Sequence, residues 1–307
     1  AGVPARRAVW LALAGPLVGV HLVAGAHNDA VMLGLLLCGL LVVVRRPGRP
    51  AALLLAGALL GLAVTVKASA VVVVPFAVLA GMPGRYTVRA LLRHCGWLAG
   101  GLLAALLVTS AVSGLGFGWV GGLTHSGDSE QWTSPPTAVG FVIDYAGALV
   151  GRDPQAVPVV RAVALLLLAG VLVVLWWRAW QTLCRLPEDA GPELAGPALV
   201  ASKLVGPEGA GPRVARSRVA LHGAAVALVA TVVLSPVFHP WYATWPLALL
   251  ALTAARTTWF VLPTAAAAFL ALPDGTNLAR VTKAPGALAM TALLLTVLVR
   301  TARRRPR

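Results

Sequence analysis

The chain has 307 residues, 59% of them hydrophobic and only 11% charged, with a mean hydropathy of +0.85. A soluble domain of this size carries roughly 25% charged residues, so a soluble globular enzyme is excluded. The net charge of +15 would suit a nucleic-acid binder, but the basic residues stand in short loops between apolar runs, where they mark the cytoplasmic sides of spans.

The first element follows the opening "AGVPARRAVW", which has neither a Met nor a secretory leader. The chain therefore reads as a fragment whose N-terminal part is absent. An apolar segment at 8–25 comes next. It is separated from a second, at 29–44, by His27, Asn28 and Asp29. Asn28 suits the N-cap of the second helix, and Asp29 suits its positive first turn. Capping does not explain His27 or an acid at the mouth of a bundle, where Asp29 could also take a proton or hold a sugar hydroxyl. Segments at 51–66 and 68–80 flank Lys67, either a snorkelling lysine at a hairpin or a phosphate-binding cation. A fifth segment covers 96–113.

Residues 114–157 read as a large loop. It contains Trp119, His125, Asp128, Glu130, Trp132 and "TSPPTA". Its tryptophans suit either an interfacial belt or the apolar face of a carbohydrate. A sixth segment at 158–177 leads into 178–218, a Pro-, Gly- and Ala-rich stretch that reads as a flexible cytoplasmic linker. Segments at 219–237 and 241–255 flank "SPVFHPWYATWP". There Pro236 and Pro240 break helices on either side of His239, with Trp241, Tyr242 and Trp245 following. This stretch is either an aromatic belt or a cavity rim on which His239 and Tyr242 hydrogen-bond. Segments at 258–272 and 285–299 complete about ten apolar helices. Long Ala- and Leu-rich runs indicate helices rather than a barrel, whose strands alternate in polarity. The expected fold is thus all-α, one polytopic transmembrane bundle over residues 1–307.

Placing both termini in the cytoplasm puts twenty Lys and Arg residues inside and five outside: Lys67, Arg152, Arg161, Arg280 and Lys283. His27, Asn28, Asp29, Lys67, the 114–157 loop, His239 and "PDGTN" at 273–277 then share the outer face. Chemistry or binding is expected there, at the boundary of a cytoplasmic membrane. Cys38, Cys95 and Cys184 read as free thiols. There is no P-loop, GxGxxG, HExxH or CxxC pair, and no metal-ligand spacing. Nucleic acid and ATP are not expected partners, and an activated donor, if there is one, is expected from the lipid side.

"GAHNDAVMLGLLLCGL", "GFGWVGGL…WTSPPTAVG" and "HPWYATWPLALLAL" together resemble the actinobacterial polyprenol-phosphomannose-dependent α-1,6-mannosyltransferases, membrane glycosyltransferases of the GT-C fold class. The resemblance covers roughly residues 8–300. It implies transfer of mannose from a polyprenyl phosphate to a lipid-anchored mannan outside the membrane, with inversion and with no certain cofactor. Asp29 is the expected catalytic acid, or else a support for a carboxylate base upstream of residue 1. His27, Asn28, His239, Trp241 and Tyr242 are expected to orient sugar or phosphate, Lys67 to hold the donor phosphate, and Trp119 and Trp132 to line the acceptor path. A transporter or flippase of lipid-linked sugars is the alternative. It needs a polar route through the bundle, and most spans have no ionisable residue at mid-depth.

Overall fold

The computed structural model describes residues 3–122, 128–186, 212–253, 258–270 and 277–303. Among the described residues the chain is all-helical. The helices are α1 (Ala5–Leu13), α2 (Asp29–Arg45), α3 (Pro50–Val66), α4 (Val74–Gly81), α5 (Val88–Val112), α6 (Gly118–Gly122), α7 (Pro135–Leu149), α8 (Ala156–Arg185), α9 (Pro212–Leu234), α10 (Thr244–Thr253), α11 (Thr258–Phe269) and α12 (Lys283–Arg303). Short helical pieces of other types fill gaps: a π-helix at Val18–Ala24 and 3-10 helices at Ala68–Val73, Pro240–Ala243 and Leu278–Arg280.

Each of the ten expected segments corresponds to helix, but among the described residues only α5, α8, α9 and α12 are long and apolar enough to cross a membrane alone. That is enough for a membrane protein, and among the described residues it is fewer than ten spans. The first expected segment is two pieces, α1 and the π-helix, bent by 71°. Pro16 has no N–H to continue α1, so the ladder stops before it. Residues 114–157 are not one loop, because α7 occupies 15 of them. Ser134 caps α7 by accepting from the Thr137 N–H, and Pro135 stands at its first position, where no N–H is needed. The expected linker at 178–218 is helical at both edges, since α8 runs to Arg185 and α9 begins at Pro212. Residues 187–211 between them lie outside the described residues. All three cysteines are free.

The core packs α2, α3, α4, α9 and α10 together through Met32, Leu36, Leu53, Leu60, Leu79, Leu228 and Leu249. Helix α9 is the inner span, with 61% of its apolar window buried, against 11–17% for α5, α8 and α12. The latter present Leu107, Leu166 and Leu298 outward, as lipid-facing helices do. Helices α3 and α5 cross at Gly57 and Gly101. A Cβ on Gly57 would overlap the Leu98 carbonyl, and one on Gly101 the Leu54 carbonyl, so only glycine allows that approach.

The two ends of the bundle differ. At one end, Arg216 donates to the Gly84 carbonyl at 3.1 Å and lies over the Tyr86 ring, near the Gly48–Gly81 backbone bond that joins α3's approach to α4. At the other end the helices are broken, and the polar side chains gather where they break.

Candidate active site

The site forms where α2 begins, α3 ends and α10 begins. The chain leaves the π-helix through Ala26, whose φ of 46° lies in the left-handed region. This turn folds His27 back, so that its Nδ1 meets the His21 carbonyl at 2.9 Å. A carbonyl only accepts, so Nδ1 carries a proton and donates it. Asn28 is the first departure from expectation. It precedes α2, but its φ/ψ of −58°/−15° is already helical, and its exposed side chain makes no capping bond. An N-cap needs extended backbone to aim its oxygen at the next turn's N–H groups.

Asp29 is fully buried. It points across the bundle, and its Oδ1 accepts from Lys67 Nζ at 2.9 Å and from Trp245 Nε1 at 2.6 Å. The Lys67 side chain keeps 21% of its surface exposed and that of Asp29 only 1%, so the ion pair reaches the outside through the lysine. Asp29 Oδ2 is buried and has no partner. A buried carboxylate oxygen with no donor is costly, and such atoms are concentrated where a ligand or a proton completes them.

Lys67 is the hinge between α3 and the following 3-10 turn. Its ammonium sits 4.0 Å above the centre of the Tyr242 ring and 4.7 Å from that of Trp245, in a cation–π arrangement. Burial pulls its pKa below the usual lysine value, and the Asp29 carboxylate opposes that shift. Tyr242 stacks on Trp245 at 4.3 Å. Beside them His239 lies flat on Trp241, 4.5 Å away with an interplanar angle of 1°. Trp241 also contacts His27 at 4.2 Å and His21 at 5.3 Å. Burial first, and the Lys67 charge second, push the His239 imidazole down to about 4, against the pull of Asp29. It is therefore neutral at pH 7, and its Nδ1 is buried without a partner.

His27, Asp29, Lys67, His239, Trp241 and Tyr242 thus form one group, drawn from three parts of the chain. Asn28 adjoins it on the exposed side. Trp119 stands apart on α6, 44% exposed, donating to Ser110 Oγ at 3.3 Å. Trp132 donates to Thr282 Oγ1 at 3.1 Å and packs flat against Gly286 of α12, where a Cβ would fall inside its indole. It is committed to packing α7 against α12, among Ala138, Phe141 and Ala287. His125 lies outside the described residues.

Two members were not expected as site residues, Trp245 and His21. Trp245 follows Tyr242 by three residues, one helical turn, so it shares a face with it. His21 had no such signal, because it stands inside an apolar run and meets His27 only through the turn at Ala26. Among the described residues no group of three His, Cys, Asp or Glu side chains is arranged to hold a metal. The arrangement offers one carboxylate oxygen able to take a proton, one cation able to neutralise an anionic group, and a wall of aromatic and imidazole rings.

The chain is similar in sequence to proteins of one family. Residues 1–83 match the family model described as alpha-(1->6)-mannopyranosyltransferase, N-terminal domain, and residues 213–301 match the MptB C-terminal domain. These two stretches carry Asp29 and Lys67 on one side of the site and His239 to Trp245 on the other. The chain is 29% identical over 303 residues to an alpha-(1->6)-mannopyranosyltransferase of Mycobacterium tuberculosis, covering 83% of this chain and 46% of the relative. It is 30% identical over 280 residues to a probable alpha-(1->6)-mannopyranosyltransferase of Mycolicibacterium smegmatis, covering 83% and 44%. Alpha-(1->6)-mannopyranosyltransferase B of Corynebacterium glutamicum is 27% identical over 298 residues, covering 87% and 43%. The chain spans less than half the length of these relatives. No solved structure matches it. The chain belongs to the alpha-(1->6)-mannopyranosyltransferase family.

Proposed function

We propose that the cluster around Asp29 transfers mannose from a polyprenyl phosphate to the 6-hydroxyl of a lipid-anchored mannan, at the outer face of the cytoplasmic membrane. One observation carries this reading: a buried carboxylate whose Oδ1 is held by Lys67 and Trp245 and whose Oδ2 is open. Oδ2 takes the proton of the acceptor hydroxyl. The acceptor oxygen bonds to the anomeric carbon, the bond from that carbon to the phosphate oxygen breaks, and its electron pair leaves with the polyprenyl phosphate. Configuration inverts. Lys67, anchored by Asp29 and partly exposed, neutralises the phosphate as charge builds on it. His27, His239, Trp241 and Tyr242 supply ring faces and polar edges to the sugar. Asn28 and Trp119 stand on the exposed approach of the acceptor. Trp132 supports that approach through α12.

The test uses membranes that carry the full-length protein, radiolabelled polyprenyl phosphomannose and an α-mannoside acceptor. The expected product is the acceptor extended by one α-(1→6) mannose. Nucleotide-activated mannose should give none in membranes free of polyprenyl phosphate. Flipping of labelled donor across the bilayer without any transfer would overturn the enzyme reading and favour a flippase.

A further inference from the structure

The stretch Ser235–His239 is the backbone on which half of the site hangs, and it is not helical. Within a bundle that spans a membrane, carbonyls released from a helix need donors from the protein itself. Pro236 and Pro240 can supply none. Yet every carbonyl of the stretch has a partner. Ser134 Oγ donates to the Ser235 carbonyl at 2.8 Å, Thr137 Oγ1 to Pro236 at 2.8 Å and Thr133 Oγ1 to Phe238 at 2.7 Å. Ser235 Oγ serves the Val237 carbonyl, and the Tyr242 N–H serves His239 at 2.9 Å. Three of the five donors come from one motif, Thr133-Ser134-Pro135-Pro136-Thr137.

The motif is itself tied down. Thr137 has a single hydroxyl proton, which goes to Pro236, and its oxygen accepts from Arg161 Nε at 2.9 Å. Arg161 also donates to the Ser129 carbonyl at 2.8 Å. Thr133, Ser134 and Thr137 are 3%, 0% and 0% exposed, so none of them presents a surface to a sugar. Their chemistry is spent on the backbone opposite.

We infer that Thr133, Ser134 and Thr137 are positioning residues: a hydroxyl clamp that sets the conformation of Ser235–His239 and so holds His239 on Trp241 and Trp241 against His27. The consequence for transfer rests on the proposed function; the clamp itself does not.

The two are separated by measuring both. Every cysteine of the intact protein, Cys38, Cys95 and Cys184 among them, is replaced by Ala, and His239→Cys then supplies a single reporter thiol. Its rate of maleimide labelling reads the exposure of the stretch. Thr133→Val keeps the side-chain shape and removes the donor, so it should raise that rate about tenfold, while Thr133→Ser should stay within about twofold, as expected for one lost buried hydrogen bond. Thr137→Val and Thr137→Ser provide a second pair should Thr133→Val fail to fold. With His239 intact, the valine variants should lower kcat for mannosyl transfer, and the conservative variants should restore it. Labelling left unchanged by both valine substitutions would overturn the clamp, even if transfer fell. Labelling that rises in the valine variants of a protein with no transfer activity would uphold the clamp and leave the transfer reading as the one that failed.

Discussion

Asp29, on the first turn of α2, accepts a 2.6 Å hydrogen bond from the indole of Trp245, 216 residues further along, on the same oxygen that Lys67 reaches at 2.9 Å. Two donors on one oxygen fix the carboxylate and leave the other oxygen for work. Trp245→Phe keeps an aromatic ring against Tyr242 and removes the N–H together with part of the buried indole. The lost hydrogen bond to a charged group should cost about 1.5–3 kcal/mol of stability, and the space left by the smaller ring adds to it. Thermal unfolding in detergent would measure this, and Asp29→Asn in the same chain should reduce the loss.

Lys67→Met leaves Asp29 charged, buried and short of its counter-ion. Breaking such a pair from one side costs roughly 3–5 kcal/mol. Adding Asp29→Asn to Lys67→Met should recover a large part of that, which a double-mutant cycle reads directly. Lys67→Arg should retain the fold and raise KM for the lipid donor more than it lowers kcat, because the guanidinium keeps the charge but not the fit over Tyr242 and Trp245.

The His239 pKa of about 4 gives a pH dependence with a definite sign. Between the ordinary imidazole value of 6.5 and the folded value near 4, the unfolded chain binds a proton that the folded chain does not. Stability is therefore full above pH 6.5 and falls as pH drops toward 4. His239→Gln, which hydrogen-bonds but does not titrate, should flatten that part of the stability profile. An unchanged slope would remove His239 as its source.

Gly286→Ala tests the Trp132 contact. In a helix interior alanine is favoured over glycine by about 1 kcal/mol. Here its Cβ would lie inside the Trp132 indole, so the substitution should lower the melting temperature instead. Gly286→Ala combined with Trp132→Leu should relieve the overlap.

The helices were legible because their signal is long and local. Apolar runs bounded by arginines or prolines gave segments within a few residues of α2, α3 and α10. Helix α7 was hidden because "TSPPTAVG" reads as turn residues, although Ser134 and Pro135 are also the start signal of a helix. Asp29, Lys67, His239 and Tyr242 stood out in sequence because a polar side chain beside an apolar run asks for a reason. Their meeting did not stand out, since α2, α3 and α10 come together only through packing. The role of the TSPPT hydroxyls was hidden for the same cause: sequence shows a donor but not the carbonyl that uses it.

The most direct test of the Asp29 assignment is single-turnover mannosyl transfer by the full-length protein with Asp29→Asn. Asparagine keeps an acceptor oxygen for Trp245 and Lys67 and removes the basicity at the open position. The predicted result is donor binding within a few-fold of the unaltered protein and a transfer rate lower by about 10²–10⁴, the range for loss of a general base. Transfer at the unaltered rate, with the variant folded and binding donor, would contradict it.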